Sequence, residues 1–136
     1  MLEWVKNNNS KTKEKKVLEE FQEQSNQLIE KVHSPNETVR NLSLMGLGQV
    51  IISSILTIQR EEMNQKSIFV EKKIVLIEKL LDVYTEYHGS KCDDLGRLLQ
   101  NIKRIRQKNL NMSEEEYDSL LENERMYESD SNYKGK

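Results

Sequence analysis

Residues 41–59 read NLSLMGLGQVIISSILTIQ, nineteen positions without a charge in a chain of 136 residues of which 32% are charged. A stretch of about 20 mainly apolar residues is what crossing a bilayer core requires. The most buried helix of a soluble bundle has the same look, so its content has to decide. Asn41, Ser43, Gln49, Ser53, Ser54 and Thr57 lie within the run, and an amide near the middle of a span is costly in hydrocarbon. Gly46, Gln49, Ser53 and Thr57 also recur at helical spacing and lead on to Arg60, opposite Leu44, Leu47, Ile51, Ile55 and Ile58. A helix with a wide apolar face and a narrow small-residue stripe fits between other helices of a bundle. The run is therefore read as a sandwiched core helix, with a single membrane span at 41–59 as the alternative, because small residues also pack helices in lipid.

Composition supports helices around it. The chain has one Pro and five Gly and is 35% hydrophobic, with a mean hydropathy of -0.80. A β-rich domain needs turn residues every ~8–12 positions, and these are missing. Glu, Leu and Lys lead instead, which is the composition of an all-α protein. The length suits one core. Helical spacing and capping signals mark about four helices plus a short acidic one: 14–33, 36–62, 67–88, 91–109 and 114–127. Three Ser-initiated capping boxes punctuate them: Ser34 to Glu37 with Pro35 at the first helical position, Ser90 to Asp93 after Gly89, and Ser113 to Glu116. MNQKS at 63–67 holds neither Gly nor Pro; a break is placed there because polar residues separate two apolar stretches.

Charge divides the chain into a basic arm, a neutral body and an acidic end. Residues 1–16 carry five Lys against two Glu, and residues 112–136 carry eight acids against three bases. The expected organisation is a mobile arm over 1–13, a bundle over 14–110 and an acidic helix with a tail over 111–136. The one cysteine, Cys92, excludes an internal disulfide framework and multi-cysteine zinc sites and points to a reducing compartment. The first residues lack the apolar segment of a secretory signal. A cytoplasmic location is expected.

The segment SPNETVRNLSLMGLGQVI resembles the turn and second helix of a HEAT repeat. The residues that carry it are Ser34-Pro35, Val39-Arg40, Ser43, Gly46 and Leu47-Gly48. Ser43 and Gly46 stand where that family favours Ala. With LEEFQEQSNQLIEKVH as a first helix, the resemblance spans about residues 17–52, as a single copy. It implies a buried helix hairpin in a soluble protein and scaffolding by analogy.

Candidate chemistry is sparse. Glu30 and His33 have the Glu-x-x-His spacing of carboxylate-bridged metal bundles, yet the second such motif is missing, and His33 is read as a helix-terminal residue. Cys92 stands in a first helical turn with His88 four residues before it, but no oxyanion device accompanies them. Phosphate loops, nucleophile elbows and zinc-protease motifs do not occur. The expectation is a protein without catalytic residues, metal or other cofactor.

Binding surfaces are the better candidates. Tyr117, Leu120, Leu121, Met126 and Tyr127 offer anchor spacing on the acidic helix for docking into a partner's groove. Lys103, Arg104, Arg106 and Lys108 form a basic end of the fourth helix, a patch for phosphates or simply cations at a helix C-terminus. Ile74, Ile77, Leu81 and Tyr84 read as a seam for a homodimer built around the second and third helices. Trp4 and Leu2 are possible anchors for the arm. The reading is an intracellular adaptor, inhibitor or regulator that binds another protein; a nucleic-acid-associated regulator using the basic patch is a further alternative.

Overall fold

A computed structural model describes the backbone of residues 2–88 and 93–134 and the side chains of residues 13–87 and 93–126. The chain is all helical, with 87% of it in helix and no strand among the described residues. Five helices follow in order: α1 (Leu2–Val32), α2 (Glu37–Thr57), α3 (Phe69–His88), α4 (Asp93–Asn109) and α5 (Glu114–Lys134). A π-helical turn, Ile58–Glu62, extends α2. The break expected at 63–67 is present, and the second helix with its extension ends where expected. α1 begins at Leu2, well before residue 14, so helix occupies the stretch read as an arm.

The turn after α1 is capped differently from the expected box. Asn36, not Ser34, is the N-cap of α2: its Oδ1 accepts from the Val39 N–H at 3.2 Å, and Ser34 Oγ accepts from the Asn36 N–H at 3.1 Å. Asn is among the best N-cap residues, and starting the helix at Glu37 leaves Pro35 outside it. The box at Ser113 to Glu116 forms as expected, each side chain accepting from the other's backbone N–H at 3.1 Å. The Ser113 amide holds the Glu116 carboxyl below the usual carboxylate range. The box expected at Ser90 to Asp93 includes residues outside the described ones. Between α4 and α5 the chain turns through Asn111 in the left-handed region, φ 56°. Asn tolerates that conformation better than other residues with a Cβ.

α1 and α2 form an antiparallel hairpin, and α3 returns parallel to α1. Glu14 accepts from the Ser67 hydroxyl at one end, and the rings of His33 and Tyr87 meet edge to face at 5.0 Å at the other. α4 then runs antiparallel to α3, with Lys103 paired to Glu78, and α5 runs parallel to it, with Arg125 on Glu78 and Lys72 on Glu124. α3 is therefore the central helix. Val70, Ile74, Val75, Leu76, Ile77 and Leu80 are all buried, and four of them are consecutive. Consecutive buried residues on a helix require neighbours on nearly all sides.

This corrects the place given to α2. Its inward face, Ser43, Leu47, Gly48, Ile51, Ile55 and Ile58, is buried against α1 and α3. The opposite face carries Val39, Leu42, Met45, Ile52 and Leu56, all exposed. α2 is a flanking helix with two apolar faces, and α3 is the sandwiched one. Ile55→Ala should thus cost about 2–5 kcal/mol of folding free energy, the range for emptying a filled core site. Ile52→Ala, one turn face away, should change it by less than about 0.5 kcal/mol. Equal losses in urea unfolding would contradict the two-faced arrangement of α2.

Candidate interaction surface

The expected binding residues of α5 serve inside the molecule. Tyr117 and Leu121 are about 1% exposed and belong to the core, and Leu120 packs against it. The groove these anchors fill is the chain's own, formed by α3. Met126 remains exposed, and the side chain of Tyr127 lies outside the described residues. The helix-docking spacing marks contacts of α5 within the chain, not a face left for a partner.

The expected basic patch is dispersed for a related reason. Lys103 is paired with Glu78 at 2.8 Å, and Arg104 with Glu114 at 2.9 Å on the surface. Lys108 alone of the four stays exposed without such a pair among the described residues. Arg106 is fully buried, whereas its neighbour Ile105 is exposed. The Arg106 guanidinium donates to both carboxylate oxygens of Glu71, at 2.8 and 2.5 Å. It also donates to the carbonyls of Glu62, Met63, Gln65 and Ser67. Tyr117 completes the cluster by donating its hydroxyl to Glu71 Oε2 at 2.8 Å. A planar fork of five N–H groups suits this role, because it can grip a carboxylate and still reach backbone oxygens. Burial first, then the Glu71 charge, pushes the Tyr117 phenol well above its ordinary range.

The expected dimer seam is likewise internal. Ile74 and Ile77 are wholly buried within the chain, and Leu81 and Tyr84 are half-buried against the same core. The Tyr84 ring lies on Gly48, where a Cβ would meet it at 3.1 Å. Glu30 and His33 do not converge on a site: His33 Nδ1 bonds the Tyr87 hydroxyl. Among the described residues no group of three or more His, Cys, Asp and Glu is placed to hold a metal. Cys92 and the side chains of Leu2, Trp4 and His88 lie outside the described residues.

What the sequence reading missed is the outward face of α2. Leu42 and Met45 are 63% and 65% exposed, and Ile52 is 47% exposed; together with Val39 and Leu56 they present on the order of 400 Å² of apolar surface, the size of the largest patch on a typical monomer, which is often functional. With Gln49 they follow the 3,4 spacing of a coiled-coil seam over 42, 45, 49, 52 and 56. The signal was present but undecidable by spacing, since the uncharged run is apolar on two faces. Beside this stripe an open groove of about 650 Å³ separates α1 from α2, with Val17, Phe21 and Leu28 on one wall. Its floor is the stripe Gly46, Gln49, Ser53 and Thr57. Small side chains there leave room that larger ones would have filled.

The helical stretch Glu37–Glu62 is long and apolar enough by composition to cross a membrane, with 33% of its most apolar window buried in the fold. No protein-family model matches the chain, and comparison with curated proteins and with solved structures finds no match.

Two outcomes follow from the buried cluster. Arg106→Met should cost about 3–5 kcal/mol, the range for stranding one charge of a buried pair. Adding Glu71→Leu should recover only part of it, because the Gln65 carbonyl loses its donor and those of Met63 and Ser67 keep only Asn109 and the Val70 N–H. Full recovery in the double variant would show that the backbone bonds contribute nothing. The Tyr117 phenol is raised in the folded chain, so its stabilisation is complete below the unfolded value of about 10 and declines as pH rises past it. The urea midpoint should therefore fall between about pH 9 and 11, and Tyr117→Phe should flatten that fall.

Proposed function

We propose that this chain is a non-enzymatic helical binding module that docks a helix of a protein partner on the outward face of α2. The observation that carries the reading is the row Val39, Leu42, Met45, Ile52 and Leu56, left exposed where the core of the described residues is buried. A free helix face with coiled-coil spacing is built for another helix. The adjoining groove against α1 widens the surface; its lining sets Val17, Phe21 and Leu28 beside the polar Glu20, Gln24, Glu62 and Lys73. The resemblance of this hairpin to a HEAT repeat supports a scaffolding role of the same kind. An adaptor, an inhibitor and a regulator all work through such a face, from the cytoplasm.

The membrane-spanning alternative draws on the same helix, and the packing of α1 weighs against it. α1 lies along α2 with Lys16, Glu19, Glu20 and Glu23 within its length. Placing α2 in lipid would either carry those charges toward hydrocarbon or open the hairpin and strip Ile51 and Ile55 of their partners. Nucleic-acid binding through α4 loses its main support with Arg106 buried and Lys103 and Arg104 paired to carboxylates.

A photo-reactive residue at Met45 should form protein adducts in expressing cells, whereas one at the exposed Asn123 on α5 should not. The protein should also be recovered without detergent. Lipid adducts alone, with recovery only from alkali-washed membranes, would overturn the reading in favour of a span.

A further inference from the structure

α2 has no stop signal of its own. Its π-helical extension closes on Met63, whose φ of -58° and ψ of -36° are right-handed helical. Helices commonly end on a left-handed residue, usually Gly. Among the described residues the non-Gly residue in that region is Asn111, in a different turn. Residues 63–67, MNQKS, hold neither Gly nor Pro, and Met, Gln and Lys are good helix formers. The π-turn is itself a rare departure from the regular ladder, of a kind that is frequent at functional sites.

What bends the chain comes largely from α4. Arg106 donates to the Glu62, Met63, Gln65 and Ser67 carbonyls, and Asn109 adds a bond to Met63 at 2.8 Å. Local bonds assist: the Gln65 N–H donates to Glu62, and the Ser67 hydroxyl and carbonyl accept from the Phe69 and Val70 N–H groups. In a straight helix the Glu62, Met63 and Gln65 carbonyls would instead accept from the N–H groups of residues 66, 67 and 69. Glu62 and Lys66 would then stand four residues apart with Glu first, the favoured order for an ion pair. In the bent chain Glu62 Oε1 is buried without a partner among the described residues, and Lys66 reaches away to the Asn109 carbonyl.

We propose that the α2–α3 junction is a two-state hinge through which two copies of this chain exchange their α1–α2 hairpins. In one state α4 holds it bent; in the other, residues 37–88 form one helix about 78 Å long at 1.5 Å per residue. Straightening lifts the hairpin off α3 and uncovers the apolar residues between them, Ile51 and Ile55 included. The surface that fits them is already specified by the fold, since it is α3 of a second copy. α2 lies antiparallel to α3, so two straight helices side by side place each α2 on the other chain's α3. Exchange of an identical element is a low-cost route to a dimer, because only the hinge changes. The outward face of α2 takes no part, so the hinge operates whatever that face binds. The number of chains per particle then depends on how firmly Arg106 holds the junction.

Sedimentation after refolding from urea at high micromolar concentration tests the hinge. The expected result is a dimer alongside the single chain. Arg106→Lys keeps a cation on Glu71 but lacks the fork that reaches the carbonyls, so it should raise the dimer fraction several-fold. Lys66→Pro removes an N–H that the straight helix needs and should abolish the dimer. Lys66→Gly, the milder change, should weaken the dimer roughly tenfold, since its helix penalty counts once in each chain. A cross-link identifies the exchange. The His33 and Tyr87 rings meet at the end far from the hinge. In a Cys92→Ser background, His33→Cys with Tyr87→Cys should be joined by a short bis-maleimide across two chains in the isolated dimer, and within one chain in the monomer. A single chain throughout, for Arg106→Lys as well, would overturn the proposal. A dimer whose links stay within each chain, or one that Lys66→Pro and Lys66→Gly leave unchanged, would do the same.

Discussion

The ion pair between Arg106 and Glu71 organises the bundle, because it touches more of the chain than any hydrophobic contact can. From α4, Arg106 holds α3 through Glu71 and holds the link between the π-turn and α3 through four backbone carbonyls. Tyr117 brings α5 to the same carboxylate. In the 62–67 link the Glu62 and Ser67 carbonyls also accept from the Gln65 and Val70 N–H groups, and the Gln65 carbonyl accepts from the guanidinium. Asn109 and Lys66 reinforce the junction, Asn109 donating to the Met63 carbonyl at 2.8 Å and Lys66 to the Asn109 carbonyl. A buried pair of this kind adds little net stability by itself, but removing one partner strands the other. Its contribution is to fix where α2 ends and how α4 and α5 dock.

With that junction in place, α3 becomes the axis of the molecule. α1 and α2 cover one side of it, and α4 and α5 cover the other. α2 sits at the margin, so one apolar face is buried and the other is not. The exposed face follows from position in the bundle and not from an excess of hydrophobic residues, since the chain as a whole is 35% hydrophobic. A helix that belonged in the centre by composition has been displaced by one with charged residues on its flanks. α3 tolerates this because Lys72, Lys73 and Glu78 are paired with Glu124, Glu62, Lys103 and Arg125 at the rim.

The parts of this arrangement that were legible are local. The Ser113 box depends on residues three positions apart and formed as expected, and the break at 63–67 followed from a change of hydropathy. Asn36 was overlooked as a cap because Ser34, Pro35 and Glu37 matched a familiar pattern two residues earlier. The errors in the binding residues share one cause. Leu121, Ile74 and Ile77 are apolar residues at helical spacing, and Tyr117 is an aromatic in the same register. Spacing shows that a helix face needs a partner without saying whether that partner is in the same chain.

Arg106 is the clearest case of what sequence alone does not reach. In KRIRQK it reads as one cation among several at a helix end, next to the apolar Ile105. Which of two adjacent residues turns inward depends on Glu71, thirty-five positions away, and on the carbonyls of a loop. Local order determined the helical class, most helix limits and the two apolar faces of residues 41–59, because capping and periodicity act within a few residues. Tertiary packing decided which helix is central, which face of α2 meets water and which charges are buried. Those outcomes depend on distant surfaces competing for the same contacts.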